Sequence, residues 1–138
     1  FTGILTQQTH SAYAGSQEIK KTFGFQTTNA TQQTALSIAL PDLTVTWIEV
    51  LLTARFQNTG TNKSYVARVF GGVRRNNGGS AALIDSPEIA DLIAENPTNY
   101  SVDLGVSGNN VTVLVTGAAG ETVNWTGTVR YQSVSLAV

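Results

Sequence analysis

Polar and apolar residues alternate with a period of two through most of this chain. From Val123 the odd positions read Val123, Trp125, Gly127, Val129 and Tyr131, while Thr122, Asn124, Thr126, Thr128, Arg130 and Gln132 fill the even ones. Successive side chains of a strand point to opposite faces of a sheet, so this stretch predicts a long half-buried strand. Just upstream, Val111, Val113 and Val115 alternate with Thr112, Leu114 and Thr116. The link Gly117-Ala118-Ala119-Gly120 can take positive φ at either glycine, so the two strands are expected to pair as a closing hairpin.

The same period recurs upstream. Ile19 to Gln26 alternates weakly, with Phe23 and Phe25 on one side. Leu36, Ile38 and Leu40 share a face until Pro41-Asp42 ends the strand. Thr44 to Asn58 is the longest run. Its even positions Ile48, Val50, Leu52, Ala54 and Phe56 form a continuous apolar face, and its odd positions Trp47, Glu49, Leu51, Thr53 and Arg55 are mixed. That second face is expected to be half covered, by another subunit. Lys63 to Asn76 returns with Tyr65, Ala67, Val69 and Val73 inward and Ser64, Arg68 and Arg74 outward. Gly71-Gly72 within it suggests a bulge or a close backbone approach, and Asn76 to Gly79 is a turn. Ser80 to Asp85 reads as a short strand. Pro87 to Glu95 fits either a short helix or a strand, because Ile89, Leu92 and Ile93 suit helical spacing while the run is short. After Asn96-Pro97, residues Tyr100, Val102, Leu104 and Val106 face inward, and Gly108-Asn109-Asn110 turns into the next strand.

About eight strands with frequent turns predict an all-β fold, an antiparallel β-sandwich that is jelly-roll-like in strand count. At 138 residues one domain is expected. The division is an N-terminal arm or linker over 1–18, rich in Thr, Gln and Ser, and a sandwich over 19–138. Phe1 and Tyr13 are the arm's candidate assembly contacts. With Phe1 first and no Met anywhere, the chain is expected to be a processed form or a fragment.

Composition narrows the function. Charged residues make up 12%, against about 25% in average domains, and the net charge is −1. That leaves no basic footprint for nucleic acid or an anionic membrane. No apolar run approaches the ~20 residues that span a bilayer. Without Cys there is neither a disulfide framework nor a thiolate. The single His, His10, sits in the loose arm and makes a poor catalytic base. Asp85, Glu88, Asp91 and Glu95 cluster and could hold a Ca²⁺ ion or act as a glycosidase pair, but they match no calcium-loop spacing. No catalytic, metal or cofactor site is assigned.

The remaining candidates are contacts. Trp125 lies on an apolar face and is expected in the core, whereas Trp47 and Leu51 lie on the mixed face and are candidate interface or ligand contacts. Arg74 and Arg75, beside the glycine-rich turn, are candidates for an anionic group or an edge guard. Tyr65, Tyr100 and Tyr131 with the tryptophans make a sugar-stacking platform the competing reading. Sequons at Asn29, Asn62, Asn99, Asn110 and Asn124 are expected by chance in a chain rich in Asn and Thr.

The stretch VTGAAGETVNW, running from Val115 to Trp125 and leading into Thr128-Val129-Arg130, resembles the closing hairpin of a β-sandwich domain of tailed-phage virion proteins, chiefly tail fibres and related appendages. Ala39-Leu40-Pro41-Asp42, the long strand from Thr46, the Arg74-Arg75 pair ahead of a glycine-rich turn and Val102 to Asn109 follow in the family's order, over roughly Thr34 to Arg130. The resemblance implies a non-enzymatic structural or attachment protein of a phage particle, either a tail-fibre or spike domain or a decoration protein. It implies a virion location and no cofactor, with a homo-oligomer, trimer favoured, other virion proteins and a host-surface glycan as partners. It favours a strand over 89–95. The alternative is a secreted carbohydrate-binding module, and a small glycosidase ranks last.

Overall fold

The computed structural model describes residues 18–95 and 99–135. The arm residues Phe1, His10 and Tyr13, and the Asn96-Pro97 break, lie outside them. Nine strands follow in chain order, with no helix among the described residues: β1 (Glu18–Thr27), β2 (Gln33–Ala39), β3 (Thr44–Phe56), β4 (Ser64–Arg75), β5 (Ala81–Leu83), β6 (Glu88–Glu95), β7 (Ser101–Ser107), β8 (Asn110–Thr116) and β9 (Val123–Ser135). They form two antiparallel sheets. The larger runs β1-β9-β3-β4, with β5 and β6 both paired to the far side of β4, and the smaller runs β2-β8-β7. This is the β-sandwich that the alternation predicts, divided six strands to three.

The ambiguous stretch over 88–95 is a strand. It pairs with Ser64–Phe70, with a shift of register between Val66 and Arg68. The Gly71-Gly72 pair makes no bulge against β3, since the register there runs unbroken from Thr44↔Arg75 to Arg55↔Ser64. The glycines make room instead. A Cβ on Gly72 would lie 3.1 Å from the Ile84 side chain, and one on Gly71 would lie 3.4 Å from Leu104. The β7–β8 hairpin is the predicted one. Ser107 pairs with Asn110 across Gly108-Asn109, and Gly108 takes φ 57°, as the first position of a tight hairpin loop requires.

The predicted closing hairpin is not formed. β8 lies between β2 and β7 in the small sheet, while β9 lies between β1 and β3 in the large one. Residues 117–122 therefore cross the sandwich. Both strands carry a full apolar face, and the crossing lets those faces meet across the core instead of lying side by side. The two glycines of the link do different jobs. Gly120 takes φ 73°. Gly117 packs so tightly that a Cβ would fall 2.4 Å from Thr27 Oγ1.

The core lies between the sheets. Ile48, Val50, Leu52, Val69, Val113, Val115 and Val129 are fully buried, as the even face of β3 and its counterparts require. Trp125 sits among them at 1% exposure. Its ring meets Tyr65 edge-on at 6.1 Å and Tyr100 at 5.8 Å, geometries that suit the ring quadrupoles. Its Nε1–H donates to Thr27 Oγ1 at 2.9 Å, so the one polar atom of the indole is satisfied in a dry place.

Trp125→Ala should cost about 3–5 kcal/mol, measured by urea unfolding. Thr27→Val should cost about 1–3 kcal/mol by leaving the indole N–H unpaired. A loss below about 1 kcal/mol for Trp125→Ala would mean that the indole is not a core side chain.

Candidate functional site

The outer face of the large sheet, turned away from the core, carries the candidate contacts. Strand register sets its rows. Glu18, Gln132, Trp47 and Gly72 lie side by side across β1, β9, β3 and β4. The next rows are Lys20, Arg130, Glu49 and Phe70, then Thr22, Thr128, Leu51 and Arg68. Of the nine exposed large hydrophobic residues among those described, six belong to this face: Val45, Trp47, Leu51, Val66, Val134 and, lying over Gly72, Ile84. Trp47 is 38% exposed and Leu51 46%. The exposed apolar side chains are thus gathered on one face, on both sides of the row that holds Arg130 and Glu49.

Two shallow hollows flank the middle of the face. One, of about 290 Å³, is lined by Val45, Trp47, Gln132, Ser133 and Val134. The other, of about 550 Å³, is lined by Thr22, Thr53, Thr126 and Thr128 together with Phe23 and Leu51. Between the two sits Glu49, whose side chain is only 7% exposed. Its carboxylate accepts from Arg130 Nη2 at 2.5 Å and from Arg68 Nη1 at 3.3 Å, and the two arginines roof it over. The hydrogen bond and charge of Glu49 raise the Arg130 pKa above its already high value, so this cation stays charged at any working pH. The Arg68 guanidinium also lies 5.6 Å from the Phe70 ring.

The other sequence candidates are placed differently. Arg74 is exposed on the outer face, in the row of Val45. Arg75 turns the other way. It donates Nε–H to Gly79 O at 2.9 Å and Nη1–H to Leu40 O at 2.8 Å, and lies 4.0 Å from the Asp42 carboxylate. Asp42 in turn accepts from Gly78 N–H. Arg75 thus clamps two loops, and its partner strand β5 covers it from the edge. Glu88 and Glu95 stand at opposite ends of β6, roughly 23 Å apart along an extended chain, and Glu95 accepts from Ser64. Among the described residues no three His, Asp or Glu side chains come together as a metal site would need.

No protein-family model matches this chain, and no curated protein matches it. Solved structures do. A tailspike protein of Acinetobacter baumannii phage AM24 superposes with a TM-score of 0.55 at 10% identity, over 86% of this chain and 26% of its own. This fold is shared with part of a phage tailspike protein. The tailspike protein gp49 of Acinetobacter baumannii bacteriophage Fri1, a capsular polysaccharide depolymerase, superposes with a TM-score of 0.43 at 11% identity, over 98% of this chain and 23% of its own. The chain therefore spans about a quarter of the length of the tailspike chains it matches. The phage-tail type of fold implied by the sequence resemblance holds, although the VTGAAGETVNW stretch does not close a hairpin.

The pairing of Glu49 with two arginines was not visible in the sequence. The available signal was a lone acid among outward apolar residues of β3, and reading it needed the register of β4 and β9. A second such pairing lies where the crossing link meets the sandwich end. Glu121 accepts from Lys63 Nζ and from Tyr100 Oη, the latter at 2.6 Å. Those two hydrogen bonds, Lys63 first, hold the Glu121 pKa below the usual carboxylate value against opposing burial. Burial, and then Glu121 itself, push the Tyr100 hydroxyl well above its ordinary value.

Because the Glu121 pKa is depressed on folding, its contribution is full above the unfolded value of about 4.3 and is lost as pH falls through the folded value. Urea unfolding between pH 7 and pH 3 should therefore show a flatter acid limb for Glu121→Gln than for the wild type. Equal slopes for the two proteins would contradict this role.

Proposed function

We propose that this chain is a non-enzymatic attachment and assembly domain of a phage tail appendage. It belongs on the virion, works as a homo-oligomer beside other virion proteins, and helps the appendage engage a host-surface glycan. The observation that carries this reading is the apolar outer face on the central strands of the large sheet, in a fold shared with part of a tailspike. Central strands have both edges paired, so their outward side chains are held in a fixed array that suits a docking surface. The chain's length, about a quarter of those tailspikes, fits one domain of a larger appendage. The two best-held carboxylates, Glu49 and Glu121, are each committed to cations, which supports a binding role over acid–base chemistry.

The test is to incubate the labelled chain with host cells that bear surface polysaccharide and with cells stripped of it, and to assay the purified polysaccharide for new reducing ends. Binding to the polysaccharide-bearing cells alone, with no reducing ends released, is the expected result. Equal absence of binding to both, or steady release of reducing ends, would contradict the proposal.

A further inference from the structure

We infer that the hollow beside Trp47 takes one carboxylated sugar unit of the host glycan, with its ring stacked on the indole and its carboxylate on Arg74. The inference rests on the reading of the chain as an attachment domain. It names the chemical class of the glycan and the side chains that hold it.

The hollow measures about 290 Å³, at the small end of ligand sites, which run from about 300 to 1,000 Å³. A single ring fits a hollow of that size. Its walls divide by chemistry. Val45, Val134 and the indole of Trp47 are apolar, and the amide of Gln132 is polar. A sugar ring is amphipathic in the same way, with C–H groups on its faces and hydroxyls around its rim. Trp47 and Gln132 are lateral partners on β3 and β9, so indole and amide stand side by side. The Trp125 indole donates its N–H to Thr27, whereas the side chains of Trp47 and Gln132 have no hydrogen-bond partner among the described residues. Both therefore have donors to offer to hydroxyls. Strands β3 and β9 are paired on both edges, so the platform is in place before anything binds.

The charge comes from Arg74. It pairs with Val45, one strand across and two residues along from Trp47, about 8 Å away between Cα atoms. It is exposed and has no ion-pair partner among the described residues, unlike Arg68 and Arg130 on Glu49 or Arg75 near Asp42. The planar fork of guanidinium N–H groups matches a carboxylate, and such a pair is stronger than a neutral hydrogen bond. The acids of the neighbouring rows do not oppose it. Glu49 lies under its two arginines, and Glu18 stands two strands from Trp47, on the far side of Gln132. Nucleic acid is a poorer fit, because its phosphates call for many cations together and this chain has a net charge of −1.

The test is biolayer interferometry of the 138-residue chain on immobilised surface polysaccharide purified from host cells. The polymer is used as isolated and after chemical reduction of its carboxylates to alcohols. Wild type, Trp47→Ala, Arg74→Gln and Lys21→Gln are compared, the last removing the same charge from the other face of β1. All three side chains are exposed, so the circular-dichroism spectrum should stay unchanged. The wild type should bind the native polymer about tenfold more tightly than the reduced one, and added salt should shrink that preference. Arg74→Gln should lose about tenfold on the native polymer and nothing on the reduced one. Trp47→Ala should weaken binding to both, and Lys21→Gln should match the wild type. Equal affinity of the wild type for the two polymers would overturn the inference and leave attachment standing. So would Trp47→Ala and Arg74→Gln proteins that bind like the wild type, or a loss in Lys21→Gln as large as that in Arg74→Gln. Displacement of the polymer by double-stranded DNA at equal charge would assign the face to any polyanion and overturn it too. A chain that binds neither polymer refutes the attachment reading itself, and this site with it.

Discussion

The sandwich closes on the indole of Trp125. It stands on β9, the strand flanked by β1 and β3 in the large sheet, and its ring touches Tyr65 of β4 and Tyr100 at the entry to β7. Its N–H is held by Thr27 at the end of β1, and Gly117 of the crossing link packs directly against that threonine. One side chain thus joins both sheets and the segment that passes between them. Glu121, three residues beyond Ala118, holds the hydroxyl of the same Tyr100 and the ammonium of Lys63. The link is thus anchored at both ends, by Gly117 against Thr27 and by Glu121 on Tyr100 and Lys63.

The strands were legible in the sequence because each has one wet and one dry face, and a period of two records that directly. The β3 pattern is an example, with Ile48, Val50 and Leu52 inside and Trp47 and Leu51 outside. Strand partners were not legible. Alternation says which residues face inward and does not say which sheet they face inward from. The Gly-Ala-Ala-Gly link therefore read as a hairpin, although it is a crossing between sheets. The short run at 88–95 could not be assigned from its own residues, and the open side of β4 decides it. The same limit applies to the candidate face. Trp47 and Leu51 could be placed on it by parity. The burial of Glu49 depends on Arg68, 19 residues away, and Arg130, 81 residues away, meeting it through register.

The outer face has a cost that the fold manages. Six exposed apolar residues on one sheet invite non-specific association. The Arg130–Glu49–Arg68 group sits in their midst and breaks the apolar surface with fixed charge. Charged groups at a docking surface suppress wrong partners more than they add affinity. The inward half of each strand builds the core, and the outward half carries the exposed side chains that the register between β3 and β9 holds in rows.

That division of labour can be read at the two tryptophans, since Trp47 faces outward and Trp125 inward. The most direct measurement is fluorine NMR of the chain labelled with 5-fluorotryptophan, recorded in H2O and again in D2O. The account predicts that the exposed Trp47 resonance shifts between the two solvents while the buried Trp125 resonance stays fixed. Two resonances that both stay fixed, or that move together, would contradict it.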